Sequence, residues 1–109
     1  MTTLPITLED KESDGGILVE RRVKAQRPSL YKVVLLNDDF TPMDFVIEVL
    51  EAVFQQDHTA ATKIMLDVHR KGAGVCGVFP YEIAETKVAR VENMAKESGH
   101  PLQCVLERA

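Results

Sequence analysis

Apolar residues occur in separate blocks along most of the chain, and the spacing within each block predicts one element of secondary structure. The run Tyr31–Leu36, which is apolar except for Lys32, predicts a buried strand that ends at a polar triplet, residues 37–39. Helical spacing then predicts a helix from Pro42 to about Gln55. Thr41 is the expected N-cap of this helix, and Asp44 stands at the capping-box position.

A second helix and a second strand follow in the pattern. Asp57 or Thr59 is expected to cap the helix, and Gly72 is expected to end it. The strand covers residues 74–79, where two glycines indicate a close approach of the backbone to a neighbouring element. The helix residues expected to face the core are Ala61, Ile64, Met65 and Val68.

A third helix and a third strand complete the pattern. Pro80 is expected to open the helix and Gly99 to end it. Alternation of apolar and polar residues predicts a half-buried strand over Leu102–Leu106. The residues expected to face inward are Ile83, Val88, Val91 and Met94 on the helix and Leu102, Cys104 and Leu106 on the strand.

The predicted order of elements is therefore β-α-α-β-α-β. Three helices can cover one face of a three-stranded sheet, so the expected fold class is α+β, a two-layer sandwich with an antiparallel sheet. Residues 1–28 contain mixed charges and two prolines but no sustained period, which predicts a flexible N-terminal extension. Residues 29–109 are expected to form the core domain.

The composition excludes several classes of function. The chain has 109 residues and a formal net charge of -4, whereas a general nucleic-acid binder carries a basic excess. It has no apolar run long enough to span a membrane and no signal-peptide pattern, so a cytoplasmic location is expected. Cys76 and Cys104 lie among apolar neighbours, which predicts two reduced, buried thiols. The expected oligomeric state is a monomer.

Two polar features are candidates for chemistry: the triplet Asn37-Asp38-Asp39 and His69 on the second helix. Taken alone, a triplet of this kind is usually a turn, and a single histidine is usually a packed or solvated residue. Taken together they are more informative. Thr41 is expected to cap the helix, which leaves two adjacent carboxylates without a structural task, and their repulsion favours a bound cation. His69 is expected at the margin of the apolar stripe, partly buried.

The residues favour an amine over the other cations and over catalysis. Neither an EF-hand spacing nor a group of Cys and His at zinc spacing is present in the sequence, so no metal and no cofactor are expected. Cys76 lies in an apolar strand, where a reactive thiolate is costly, so we expect no enzyme. An ammonium group has three donors, and Asn37, Asp39 and neutral His69 offer acceptors beside apolar residues. This describes the first residue of a peptide chain.

Five segments of the chain carry a more specific signal, and the longest is 36–46, Leu-Asn-Asp-Asp-Phe-Thr-Pro-Met-Asp-Phe-Val. The others are Met65-Leu66 with Val68-His69, residues 75–79, residues 84–88 and His100-Pro101-Leu102. In their order and spacing these segments resemble ClpS, the bacterial N-end rule adaptor family of the Clp protease, and the resemblance covers the chain from about residue 28 to the end. Phe40 is a small departure, because tyrosine is common there.

The resemblance implies roles for individual residues. Asn37, Asp39 and His69 would hold the α-amino group, and Asp38 would add negative potential. Met43 would be a gatekeeper that disfavours β-branched first residues. Glu82 and Lys87 would dock the N-terminal domain of the ClpA unfoldase, although spacing alone favours a solvated helix face for them. The residues implied to line or rim the side-chain pocket are Leu35, Thr41, Met43, Val46, Met65, Val68 and Leu102.

The expected function is therefore that of an adaptor. It would bind proteins with a free N-terminal Phe, Tyr, Trp or Leu and deliver them to ClpA for degradation, with residues 1–28 assisting the transfer. Two alternatives stay open at this point. One is a structural or ribosome-associated module with the same order of elements. The other is a small enzyme that depends on Cys76.

Overall fold

Three strands form one antiparallel sheet, and three helices pack on it. The computed structural model describes residues 29–109, so the predicted N-terminal extension lies outside the described residues. The elements in chain order are β1 Leu30–Leu36, α1 Met43–Phe54, α2 His58–Lys71, β2 Ala73–Pro80, α3 Tyr81–Glu97 and β3 Gln103–Arg108. The predicted fold class, the order of elements and the antiparallel sheet are confirmed.

The first strand is the central one. The strand order is β2-β1-β3, and β1 pairs antiparallel with both neighbours. This position explains why residues 33–36 of β1 are all apolar, since Val33 and Leu35 are fully buried under the helices and Val34, on the other face, is only 4% exposed. Leu36, the last residue of β1, pairs with Ala73 of β2 and Gln103 of β3, so the polar triplet begins where the sheet ends.

The connection between α1 and α2 is fastened to the edge strand β2. The pairing of β1 with β2 shifts between Val33 and Val34, which leaves Cys76 as the extra residue of a β-bulge. The side-chain amide of Gln56 donates a hydrogen bond to the backbone carbonyl of Cys76 at 3.2 Å. A carbonyl at the bulge, where the ladder is disrupted, thus has a partner from the helical layer.

The second helix has the predicted ends. Asp57 is the N-cap, and its carboxylate accepts a hydrogen bond from the amide of Ala60 at 2.8 Å. Gly72 ends the helix in the left-handed region, with φ of 88°. A Cβ on Gly74 would lie only 2.7 Å from a methyl group of Val68, so the predicted close approach of β2 to a neighbouring element is confirmed.

The predicted capping of the first helix is wrong. Pro42, and not Thr41, is the N-cap of α1, and it makes no side-chain capping bond. Thr41 instead donates its hydroxyl to the carboxylate of Asp38 at 2.7 Å. Asp44 does not reach back to form a capping box, because its carboxylate accepts from the amide of the next residue, Phe45.

The predicted orientation of Ile83 is also wrong. It is 48% exposed, although the spacing predicts that it faces inward. The face of α3 that packs on the sheet is centred on Ala84, Val91 and Ala95, with Val88 and Met94 partly buried beside them. Small alanine side chains at that face let the helix lie close to the strands, and the register that buries them turns Ile83 outward.

The two thiols lie in the core, as predicted. Cys76 is 2% exposed and Cys104 is 4% exposed. Burial, with a smaller contribution from the neighbouring Cys104, raises the pKa of the Cys76 thiol to about 12. Burial likewise raises the pKa of Cys104 to about 12. Across residues 29–109, none of the helices has the length and apolar character that a membrane span requires.

Candidate functional site

A hydrogen bond between two chain segments brings the polar triplet to the end of α2. The backbone amide of Asn37 donates to the carbonyl of Gly72 at 3.0 Å. Gly72 follows α2 directly, and its own amide donates to the carbonyl of Val68 at 3.0 Å. His69 lies in the last turn of α2. The triplet after β1 and His69 therefore share one end of the molecule, although residues 40–68 separate them in the sequence.

The two helices that follow the triplet supply an apolar floor beside it. Met43 and Val46 are three residues apart on α1, and Met65 and Val68 are three residues apart on α2, so each pair lies on one helix face. Val46, Met65 and Val68 are all less than 8% exposed, whereas Met43 is 46% exposed. Met43 thus stands at the rim and the other three form the floor.

These groups enclose a cavity of about 370 Å³. Its size is near the lower end of the range for small-molecule sites, which suits a single large side chain better than an extended ligand. The polar triplet and His69 supply polar groups to the cavity, and the two helices supply apolar groups. The lining residues are Asn37, Asp38, Asp39, Phe40, Thr41, Pro42, Met43, Val46, Met65, Val68 and His69.

Asp38 organises the loop that forms the polar side. Its carboxylate accepts the backbone amides of Phe40 and Thr41 at 2.8 and 2.7 Å and the hydroxyl of Thr41 at 2.7 Å. Burial acts to raise the pKa of this carboxyl, but the three hydrogen bonds, with a contribution from the charge of His100, hold it below its ordinary value. The expectation that both carboxylates lack a structural task is therefore wrong for Asp38.

The side chains that remain for a ligand are those of Asn37, Asp39 and His69. Asn37 and Asp39 are exposed, and within residues 29–109 neither side chain has a hydrogen-bond partner in the protein. His69 is exposed rather than partly buried, because the α2 stripe of Ala61, Met65 and Val68 leaves it outside the packed face. All three line the cavity, so their donors and acceptors are available to a molecule that enters it.

Two residues implied for the side-chain pocket do not line the cavity. Leu35 is fully buried on β1, where it pairs with Gly74 and Cys104 on the neighbouring strands. Leu102 is 4% exposed and belongs to the central core. Both belong to the buried core and not to the cavity lining. Phe40 and Pro42, in contrast, line the cavity, and only their position next to the triplet could have indicated this from the sequence.

Comparison with known proteins places the chain in a family. A family profile described as "ATP-dependent Clp protease adaptor protein ClpS" matches residues 26–105. The ClpS adapter protein of Rhodospirillum centenum is 54% identical over 99 residues, which are 91% of this chain and 92% of that protein. ClpS 1 of Agrobacterium fabrum is 57% identical over 102 residues, which are 92% of this chain and 87% of that protein.

The chain belongs to the ClpS family. It is an adaptor of the ATP-dependent Clp protease, and the resemblance read from its motifs is confirmed. A solved ClpS2 structure from Agrobacterium tumefaciens agrees in fold, with a TM-score of 0.74 at 44% identity. The match covers 76% of this chain and all of that one, which was solved with L-phenylalaninamide bound.

The residues that the ClpS resemblance implies for docking lie on α3, away from the cavity. Glu82 is exposed at the first turn of α3. Lys87 is half-buried, and its ammonium group donates to the carbonyl of Val53 at 2.8 Å, near the end of α1. Arg90 donates to the neighbouring carbonyl of Ala52 at 3.3 Å. Since α1 has no basic residue in its own last turn, these two cations complement the negative end of its helix dipole.

Lys87 therefore has a structural contact that its sequence position did not indicate. Its ammonium group also lies 5.5 Å from the centre of the Phe79 ring and 6.0 Å from that of Phe54. Glu82 and Lys87 nevertheless line one concave surface, a depression with a volume of about 400 Å³, together with Ile83, Thr86 and Arg90. Within residues 29–109, the side chain of Lys87 is held by a hydrogen bond and that of Glu82 is not.

Proposed function

We propose that this adaptor binds proteins that carry a free N-terminal Phe, Tyr, Trp or Leu and delivers them to the ClpA unfoldase. The observation that carries the proposal is one cavity lined both by polar side chains that have no hydrogen-bond partner within residues 29–109 and by an apolar floor. The polar side receives the α-amino group, and the floor receives the first side chain. An acylated N-terminus is excluded because acylation removes the positive charge of the amine and two of its three N–H donors.

The amino-group site consists of Asn37, Asp39 and His69. An ammonium ion donates three hydrogen bonds, and these side chains can supply an amide oxygen, a carboxylate and a neutral imidazole nitrogen. Asp39 acts directly or through a water molecule. The end of α2 adds to the attraction, since the carbonyl groups at a helix C-terminus carry partial negative charge. Asp38 serves mainly by holding the loop, and its charge adds to the negative potential.

The side-chain site consists of Val46, Met65 and Val68 at the floor and Met43 at the rim. Burial of a side chain as large as phenylalanine contributes about 1.5–3 kcal/mol. Each charge-assisted hydrogen bond to the ammonium group contributes about 1.5–3 kcal/mol. After the cost of association, a dissociation constant of about 1 µM is expected. Methionine is adaptable, which suits a site that accepts several large side chains. A β-branched side chain is broad next to the backbone, where Met43 narrows the entrance.

The relative solved with L-phenylalaninamide supports this assignment. Phenylalaninamide has a free α-amino group and a benzyl side chain, and its amide stands where a peptide bond would follow. The amino group and the benzyl side chain of that ligand are the two groups that the cavity of this chain is suited to hold. Thr41 completes the rim, and its side chain is held there by Asp38.

Delivery requires a second surface, and we assign it to Glu82 and Lys87 on α3. This surface is separate from the cavity, so cargo and unfoldase can be bound at the same time. Such a tether raises the local concentration of cargo at the protease without any change of a covalent bond. The division into residues 1–28, which assist transfer, and a core over 29–109 belongs to the proposal. A cytoplasmic location, a monomeric state and the lack of enzymatic activity remain predictions.

A degradation assay tests the proposal as a whole. Two reporters that differ only in their first residue, Phe or Ile, are incubated with ClpA, ClpP and ATP in the presence and absence of this protein. The adaptor is expected to accelerate degradation of the Phe reporter and leave the Ile reporter unchanged. Equal effects on both reporters would contradict recognition of the first residue.

A further inference from the structure

Phe40 differs from the other three phenylalanines of the chain in its surroundings. Phe45 and Phe54 are buried, and Phe79 packs against Phe54 with 6.2 Å between ring centres. The side chain of Phe40 is 79% exposed. A single exposed apolar residue is common on protein surfaces and needs no explanation by itself. Two further observations give Phe40 a place in the binding site.

The first observation is the position of Phe40 in the loop. Its backbone amide donates to the carboxylate of Asp38 at 2.8 Å, so its backbone is held although its ring is in solvent. It follows Asp39 directly and lines the same cavity as Asn37 and His69. A held backbone fixes where the ring can go, which keeps the ring at the mouth of the cavity.

The second observation is the direction that a bound peptide must take. When the amino group lies at Asn37 and Asp39 and the first side chain enters the cavity, the second side chain of an extended chain points to the opposite side. Successive residues of an extended chain are about 3.3 Å apart, so this second side chain leaves the cavity close to its rim. Phe40 and Pro42 lie at that rim beside Met43, and all three are exposed.

We infer that Phe40 forms a subsite for the second residue of the bound N-terminus and that this subsite takes a large apolar side chain. The inference rests on the proposed function, because it requires the amino group to be held by Asn37 and its neighbours. The second side chain packs on the exposed ring and removes apolar surface of both partners from water. Among N-termini that share the same first residue, those with a large apolar second residue therefore bind with higher affinity.

Peptide titration with variants of one residue tests the subsite. Two peptides are used that begin with Phe-Leu and Phe-Gly and are otherwise identical, each in free and acetylated form. The wild-type protein is expected to bind the Phe-Leu peptide about five- to tenfold more tightly than the Phe-Gly peptide. Phe40→Ala is expected to reduce this ratio to below about twofold, because the ring is absent.

Two control variants separate the subsite from general effects. Phe40→Tyr keeps an aromatic ring, and Val105→Ala shortens an exposed apolar side chain on β3, away from both proposed surfaces, so both are expected to keep the wild-type ratio. Thermal denaturation checks that the variants are folded. An unchanged ratio in Phe40→Ala would overturn the subsite, and so would tighter binding of both peptides, which would show that the ring occupies the empty cavity. Equal binding of free and acetylated peptides by the wild-type protein would contradict the amino-group site as well. The comparison with acetylated peptides therefore distinguishes failure of the proposed function from failure of the Phe40 subsite alone.

Discussion

The carboxylate of Asp38 accepts the hydroxyl of Thr41 at 2.7 Å and the backbone amide of the same residue at 2.7 Å. With the bond from the amide of Phe40, this closes the loop between β1 and α1 on itself. The loop places Asn37 and Asp39 at the cavity, while Asp38 is engaged within it. The two carboxylates of the polar triplet therefore have different tasks: Asp38 holds the loop, and Asp39 is at the site.

Removal of the Asp38 carboxylate is expected to disorder this loop. Asp38→Ala leaves three donors without their partner, so we expect a loss of about 1–3 kcal/mol in stability and at least about tenfold weaker binding of a Phe peptide. Asp38→Asn keeps an oxygen for the two amides and removes the charge. It is expected to bind within about threefold of wild type, because the loop persists. Equal damage by the two variants in a calorimetric titration would show that the charge, and not the loop, is what matters.

The same carboxylate gives a dependence of stability on pH. Its pKa lies below the ordinary value of 3.8 in the folded protein, so the folded state favours the ionised form. This stabilisation is complete above the ordinary value and is lost as the pH falls through the lower folded value. The melting temperatures of wild type and Asp38→Ala are therefore expected to differ most near neutral pH and to converge below about pH 4. A constant difference from pH 7 to pH 3 would contradict this.

His69 is expected to act as a hydrogen-bond acceptor for the α-amino group. His69→Ala removes one of the three acceptors of the ammonium group, so binding of a Phe peptide is expected to weaken by about 1.5–3 kcal/mol, or at least about tenfold. Since His69 is exposed, the fold should persist in this variant, and thermal denaturation checks this. Unchanged affinity of the folded variant for the peptide would show that His69 does not accept a hydrogen bond from the α-amino group.

We expect a substitution of Glu82 to weaken docking on the unfoldase alone, whereas a substitution of Lys87 weakens docking and also lowers protein stability. Glu82→Arg reverses an exposed charge and should weaken binding to the ClpA N-terminal domain by at least about tenfold with no change in melting temperature. Lys87→Ala also removes the bond to the carbonyl of Val53, so it should lower stability by about 1–1.5 kcal/mol in addition. Affinity for a Phe peptide serves as the control and should stay at the wild-type value in both variants. Normal docking by Glu82→Arg would show that the docking surface does not include Glu82.

Cys76 is expected to be chemically inert and unnecessary for binding. Its pKa is raised to about 12, so almost none of it is a thiolate at neutral pH, and it is 2% exposed. Alkylation of the native protein by iodoacetamide should be slow until denaturant is added, and Cys76→Ala should bind a Phe peptide normally with a modest loss of stability. Rapid alkylation, or loss of function in Cys76→Ala, would favour the alternative of an enzyme that depends on this cysteine.

The elements of the fold could be predicted because their signals are local. A central strand is apolar on both faces, and Asp57 and Gly72 mark the ends of α2 through their own backbone chemistry. The capping of α1 could not be predicted in the same way. Thr41 has the right type and spacing for an N-cap, but Asp38 competes for its hydroxyl and its amide. Spacing alone does not decide between two such local arrangements.

The polar part of the site could be recognised from residue types, whereas the extent of the apolar part depends on tertiary packing. Met65 and Val68 line the cavity, as the helical stripe indicates. Leu35 and Leu102 are equally apolar, yet they belong to the buried core and not to the cavity lining. The bond from Asn37 to Gly72, which brings the triplet to His69, joins distant segments and leaves no mark in the local pattern.

The most direct test of the amino-group site is a calorimetric titration with a peptide that begins with Phe and with its acetylated form. The free peptide is expected to bind with a dissociation constant of about 1 µM. Acetylation leaves the acceptors of Asn37, Asp39 and His69 without their partner, which should weaken binding by about 2–5 kcal/mol, or at least about thirtyfold. Equal affinity for the two peptides would contradict the assignment of this cavity to a free N-terminus.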